Sequence, residues 1–440
     1  MRSILLFLVL LAAPTAYAQE PETAFVGATV LRMDGSPPLL DGTVVVRGDR
    51  ITAVGPRASV PTTGARVVDV SGRWILPGLW DMHVHALYDA AVVDTLFGLL
   101  IGNGVTGIRD MGGRLDVLES VRARVRAGEI LAPRIVSAGP VLDGPEPVIP
   151  EISWRIATAT EGRAAVDSLA AAGVDFVKVY TLLPRDAFFA VMERARDLDL
   201  PVSGHVPGEV TPIEAARAGM RSIEHLRAEI EPYCTRAEPS ACDEPFEVFG
   251  EEETYQTPTL AVRRNRAFLD DSTEVRKHYL RYAPPSLLAE WEAARTARLE
   301  RGEAYFVEAR ERHADEVFVT GKLDEAGIPI LAGSDAGALF SLYGFALHDE
   351  LELLVGAGLE PVEALRAATS EAARFLGLQD SLGTISPGSK ADLLILDADP
   401  LADIANTRRI HAVVLDGRLL AREDLDELLD RQTGAEKKKS

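Results

Sequence analysis

Residues 79–85 read Leu-Trp-Asp-Met-His-Val-His, an apolar strand-like run that ends in two histidines. A strand has a period of two, so His83 and His85 project to the same side. Seven more apolar runs follow in the same style, at 105–109, 134–138, 175–180, 201–205, 221–225, 256–261 and 328–334. Helical stretches lie between several of them. Thr211-Pro212-Ile213-Glu214 is a capping box with proline at the first helical position, and Glu360-Pro361-Val362-Glu363 opens a helix in a similar way. Eight strand–helix units predict an α/β fold, a (β/α)8 TIM-like barrel over residues 78–381. A doubly wound open sheet would be expected to begin on a glycine-rich phosphate loop, and the sequence carries none.

The flanks have a different rhythm. Residues 19–77 and 382–432 read as short strands separated by turns, with Gly48-Asp49 and Asp416-Gly417 at hairpin positions. Neither flank can make a full sheet core alone, so both termini are expected to build one small β-sandwich. Residues 262–323 are charged and helical, more chain than a barrel needs there. They read either as a cap over the pocket or as an outer excursion.

The first residues read as an address. Arg2 precedes an apolar run at 4–13, too short for a stable anchor, and Ala16-Tyr17-Ala18 fits a cleavage site. The expectation is a signal peptide at 1–18, cut after Ala18, and an exported protein in the periplasm or outside the cell. In that oxidising setting Cys234 and Cys242 are expected to form a disulfide. Residues 433–440, with Lys437 to Lys439, read as a disordered tail. The net charge of −21 over 440 residues argues against nucleic acid, whose phosphates need a basic face. No later run is long and apolar enough for a membrane span, so the chain does not read as an integral membrane protein. A homo-oligomer stays open.

The polar residues at the run ends carry the chemistry. His83 and His85 end the first run, His205 the fifth, His225 the sixth, and Asp335 follows the eighth. These are four of the chain's eight histidines, all on the face where barrel enzymes place their sites. Lys178 sits inside Asp175-Phe176-Val177-Lys178-Val179-Tyr180. Pointing inward, it must lose its charge or find compensation. As a neutral amine it can add carbon dioxide to give a carbamate, whose two oxygens can bridge two cations. Facing outward, it would snorkel between helices. Tyr180 shares its side, nearer the rim.

Other positions are weaker. Arg109 ends the second run and could bind a substrate carboxylate at the mouth, or pair structurally with Asp110. His348 lies on the helix after the eighth run, as a substrate contact or a buried helix histidine. Arg263, Arg264, His278 and His313 read as surface positions. Glu224 is expected to point away from His225, its neighbour on the strand.

The ensemble resembles the amidohydrolase superfamily, in its binuclear subtype with a carboxylated lysine. The motifs are His83-Val84-His85, Val177-Lys178-Val179, Gly204-His205, Glu224-His225 and Gly333-Ser334-Asp335. Ile75-Leu76-Pro77-Gly78 looks like the family's lead into the first strand, and Gly388-Ser389-Lys390-Ala391-Asp392-Leu393 like the return into the small domain. The likeness is greatest to the imidazolonepropionase-like and Xaa-Pro dipeptidase-like branch. It implies one metal on His83, His85 and Asp335, a second on His205 and His225, and carboxylated Lys178 bridging both. Zinc is the default, with manganese, cobalt or iron as alternatives. It further implies hydrolysis of an amide in a dipeptide, an N-acyl amino acid or a related compound. A metal-bridging hydroxide would attack, and Asp335 would carry the proton to the leaving nitrogen. Tyr180 is read as a donor to the oxyanion. Dipeptidase-like relatives tend to carry an aromatic after the fifth-strand histidine, where this chain has Val206. The competing readings are a mononuclear deaminase or cyclic-amide hydrolase, a lactonase or phosphotriesterase, and a secreted binding protein without activity.

Overall fold

A computed structural model describes residues 22–226, 234–275 and 277–430. The expected signal peptide, 1–18, and tail, 433–440, lie outside the described residues. Leu79–Val84 is buried along its whole length and pairs in parallel with Val105–Asp110, which pairs with Arg134–Ser137. A second parallel series runs Val177–Val179, Val202–Gly204, Ser222–Glu224 and Tyr255–Thr257. Hydrogen bonds link the two. Asp175 N–H donates to the Ser137 carbonyl at 2.9 Å. On the far side, Ile330 bridges Gln256 and Ala336 bridges Val84, both in parallel. The segments follow one another as a TIM barrel does. Strands covered on both faces need near-continuous apolar sequence, which is why the apolar runs were readable.

The seventh run differs from expectation. The strand is Tyr255–Thr257, and a helix, Leu260–Ala267, takes the rest of the run. Thr259 turns the chain with φ 52°, and the Glu350 carboxylate accepts from Ala261 N–H at 2.7 Å in the first helical turn. A short apolar run alone cannot separate strand from buried helix. The Thr211–Glu214 and Glu360–Glu363 capping boxes form as read.

Strands from both ends of the chain join in one eight-stranded sheet. Its organiser is Glu22–Val30, which pairs along its length with Leu39–Arg47, then changes parallel partner from Arg66–Asp69 to Trp74–Pro77. The change falls at Gly27, at φ 86°, where a Cβ would stand 2.2 Å from Ser71 Oγ. Phe25, Val44, Ile75, Leu393, Ile395 and Val414 pack into one core from both termini. Arg134 ties this sheet to the barrel through ion pairs with Asp392 and Asp416.

The 262–323 stretch lies against the mouth. Trp291, on Pro285–Leu299, donates its indole N–H to the Gly337 carbonyl at 3.0 Å and packs on Phe340. That favours the cap over the outer excursion. His278 is exposed as expected, but Arg263 and His313 are buried. Glu316 compensates Arg263 as an ion pair and stands 3.5 Å from His313, so burial does not strand the charge. Cys234 and Cys242 are disulfide-bonded. No helix among the described residues is long and apolar enough to cross a membrane.

His348 is a correction. It is fully buried, with Nε2–H donating to the Asn103 carbonyl at 3.0 Å and Nδ1 2.9 Å from the Thr407 hydroxyl. It braces the helix Phe345–Ala357 against the segment Ile404–Arg408, with both ring nitrogens engaged by the protein. Burial is the main cause that pushes it down from 6.5 to about 3. Between those values the unfolded chain holds a proton that the native ring refuses, so this stability is present above about 6.5 and lost toward about 3. We expect His348→Gln to flatten the pH dependence of unfolding free energy between pH 6 and 4 by up to about 1.4 kcal/mol per pH unit. Denaturant titrations at several pH values check this; identical slopes in both proteins would count against it.

Candidate metal centre

Four imidazoles gather at the carboxyl ends of the strands, and each is held through Nδ1. His83 Nδ1 lies 2.7 Å from Glu224 Oε2, and His85 Nδ1 lies 3.1 Å from the Gly112 carbonyl. His205 Nδ1 meets the Thr181 hydroxyl at 2.8 Å, and His225 Nδ1 meets Thr259 at 2.7 Å. Fixing one ring nitrogen orients the other, the arrangement expected of metal-binding histidines. The rings of His83 and His205 lie 4.5 and 4.8 Å from that of His225. Asp335 Oδ1 is 3.6 Å from His83 Nε2 and 3.5 Å from His85 Nε2. His83, His225 and Asp335 bring one ligand atom each to within 4.8 Å of one another.

The donor chemistry fits a cation. The Nε2 atoms of His83 and His205 are buried with no hydrogen-bond partner, an arrangement costly unless something else satisfies them. His83, His205 and His225 are all pushed well below the ordinary histidine range, chiefly by burial. Neutral imidazoles are the form that ligates metal. Lys178 is fully buried, and its ammonium form adds to the depression of all three rings. Tyr180 stacks on His205 with centroids 3.9 Å apart. Close packing frames the site: a Cβ on Gly333 would stand 2.7 Å from His83 Cβ. Asp81 accepts from Ser334 N–H at 2.9 Å and ties the first strand to this loop. His225, Thr259 and Asp335 all have positive φ, at 76°, 52° and 51°. Each costs on the order of 1–3 kcal/mol, and such strain gathers where geometry serves function.

A family model described as the amidohydrolase family matches residues 74–420. The chain belongs to the amidohydrolase family. Imidazolonepropionase of Rubrobacter xylanophilus is 29% identical over 402 residues, covering 86% of this chain and 90% of that protein. The solved bottromycin amidohydrolase has a TM-score of 0.75 at 26% identity, covering 94% of this chain and 90% of that one. A Xaa-Pro dipeptidase structure, at TM-score 0.72 and 20% identity over 91% of this chain and all of that one, shares the fold. Amidohydrolases are metal-dependent, and this chain is an enzyme of that type, hydrolysing carbon–nitrogen bonds.

Of the sequence-selected residues, His83, His85, Lys178, Tyr180, His205, His225 and Asp335 come together. Arg109 does not reach the mouth, and this too is a correction. It is fully buried and donates to the Met82 carbonyl, Ser222, Glu224 and Thr257 at 2.6–3.2 Å. A guanidinium has donors enough to bind several strands at once, so Arg109 ties the barrel interior and leaves no donor set for substrate. Nor does it pair with Asp110, which instead accepts from Ala86, Leu87 and Ser137.

Glu224, read from the sequence only as pointing away from His225, has a role that the sequence reading did not assign. One oxygen faces His83 and the other accepts from Arg109 and Ser222. Alternation could not have found it: a regular strand would send Glu224 and His225 to opposite sides, and the turn at His225, with φ 76°, brings both against His83. Glu224→Gln would leave Arg109 without its buried anion and weaken the hold on His83. We expect roughly 10–100-fold weaker metal affinity and a stability loss of about 3–5 kcal/mol. Chelator competition and denaturant unfolding measure the two; unchanged affinity would show that Glu224 does not support the centre.

Proposed function

We propose that the chain is an exported binuclear amidohydrolase that cleaves the amide bond of a dipeptide, an N-acyl amino acid or a related small molecule. The observation that carries this is the pair of buried, unpartnered Nε2 atoms on His83 and His205, with His225 between their rings. Two such buried donor atoms, on rings that lie on either hand of His225, suit two ions better than one. In this reading His83, His85 and Asp335 hold one ion, His205 and His225 the other, and carboxylated Lys178 joins them. The lysine ammonium would first lose one proton; the neutral amine would then add carbon dioxide through a new N–C bond and give up a second, so that a buried cation becomes an anion that could serve two ions. Zinc is the expected ion.

Such ions supply an acidified water and polarise the substrate carbonyl. Asp335, beside His83 and His85, takes the water's proton on its carboxylate and returns it to the departing nitrogen. Tyr180, fixed by stacking on His205, turns its hydroxyl toward the developing oxyanion. The four Nδ1 contacts keep the imidazoles in place while charge develops. The amide preference draws on the names of the relatives, an imidazolonepropionase and a bottromycin amidohydrolase.

Metal analysis of reconstituted enzyme is expected to give two ions per chain, and fewer for Lys178→Ala. Activity of that variant on a dipeptide and N-acyl amino acid panel should fall by more than the roughly 10–100-fold typical of residues that only support a ligand. Two bound ions and full activity in Lys178→Ala would refute the bridging role. Export is checked by N-terminal sequencing of protein recovered outside the cytoplasm, with the mature chain expected to begin at Gln19.

A further inference from the structure

The helix Leu260–Ala267 begins without the cap its sequence offers. Thr259 is the N-cap residue, and a threonine there ordinarily turns its hydroxyl back to accept from an N–H of the first turn. Thr259 makes no such bond. Its backbone is left-handed at φ 52°, and its hydroxyl meets His225 Nδ1 at 2.7 Å. The acceptor that the helix needs comes from another helix instead. Glu350 Oε2 accepts from Ala261 N–H at 2.7 Å, at the second helical position, where an N-cap side chain would otherwise reach.

Glu350 is firmly placed. It is fully buried, and its Oε1 is buried without a hydrogen-bond partner, so the helix start is what its carboxyl group serves. Its neighbours fix the helix Phe345–Ala357 that carries it. His348 bonds to Asn103 and Thr407. Asp349 pairs with Lys277, whose ammonium also meets Asn265 Oδ1, on the Leu260–Ala267 helix, at 3.2 Å. Both contacts dock the two helices together. Burial pushes the Glu350 carboxyl up to about 8. A neutral acid still accepts through its carbonyl oxygen, so the cap does not need a charge.

The Thr259 oxygen is wanted by two donors. For His225 to turn Nε2 toward a cation, Nδ1 carries the proton and Thr259 accepts it. The left-handed threonine is strained by on the order of 1–3 kcal/mol. Relaxing to the extended backbone of an ordinary N-cap would turn its hydroxyl to the helix and away from His225. We propose that Glu350 is a positioning residue: by capping the helix in place of Thr259, it frees the Thr259 hydroxyl to orient His225. What His225 then holds rests on the metal-centre reading above.

The test compares full-length Glu350→Met, Glu350→Gln and Thr259→Val with the parent, and thermal melting establishes that each folds. Where Glu350→Met melts early, Glu350→Asp, one methylene too short to reach Ala261, replaces it. In metal-free protein with isotope-labelled histidine, the imidazole Nδ1–H signal that Thr259→Val removes identifies His225. Glu350→Met should lose the same signal, and Glu350→Gln, which keeps the acceptor, should retain it. In zinc-replete protein, chelator competition should show one ion held roughly 10–100-fold more weakly in Glu350→Met, with Glu350→Gln following the parent. A retained His225 signal with unchanged zinc affinity in Glu350→Met overturns the proposal. So does a Glu350→Gln variant as impaired as Glu350→Met. A signal lost in Glu350→Met, with zinc affinity the same in every variant, supports the cap and fails His225 as a metal ligand.

Discussion

Glu224 lies fully buried between Arg109 and His83, and the centre of the barrel is arranged around that contact. Its charge compensates a guanidinium that donates to residues of three strands, Met82, Ser222 and Thr257 among them. The same carboxylate fixes the ring of His83, the most deeply buried histidine of the cluster. Isolated, either ion would be costly in this interior; together, with their hydrogen bonds met, they form a stiff polar tie. The barrel's internal bracing and the centre's geometry therefore share one residue.

Above that tie the structure becomes more strained and more open. His225, Thr259 and Asp335 adopt left-handed backbone at the ends of buried segments. The packing of the strands and the cap holds them there. Trp291 anchors the cap next to the Asp335 loop. The candidate metal centre and the cap thus meet at the Asp335 loop.

Much of this was legible in the sequence. Eight apolar runs revealed the barrel, because strands covered on both faces are apolar along their length, and the histidines or Asp335 at the ends of four of them revealed its working face. Lys178 stood out as a cation inside an apolar run, where burial is costly to a charge. Local pattern misled where partners decide. Residues 256–261 fit a strand as well as a helix, and only Glu350, from a later helix, explains the helix start at Leu260. Arg263 and His313 read as surface residues because Glu316, which allows their burial, belongs to a helix whose packing the sequence does not announce. Arg109 at a strand end looked available to substrate, although its donors are taken by residues distant in sequence.

The sequence by itself determined the strand periodicity, the shared face of His83 and His85 and, through its motifs, the likeness to the family. The first two follow from spacing along one chain, which alternation makes readable. The tertiary structure alone decided that Glu224 orients His83 and that Arg109 braces rather than binds. Those facts depend on which strands and helices become neighbours. A buried charge is stable only beside its partner, and partners such as Arg109 and Glu224 stand 115 residues apart in sequence.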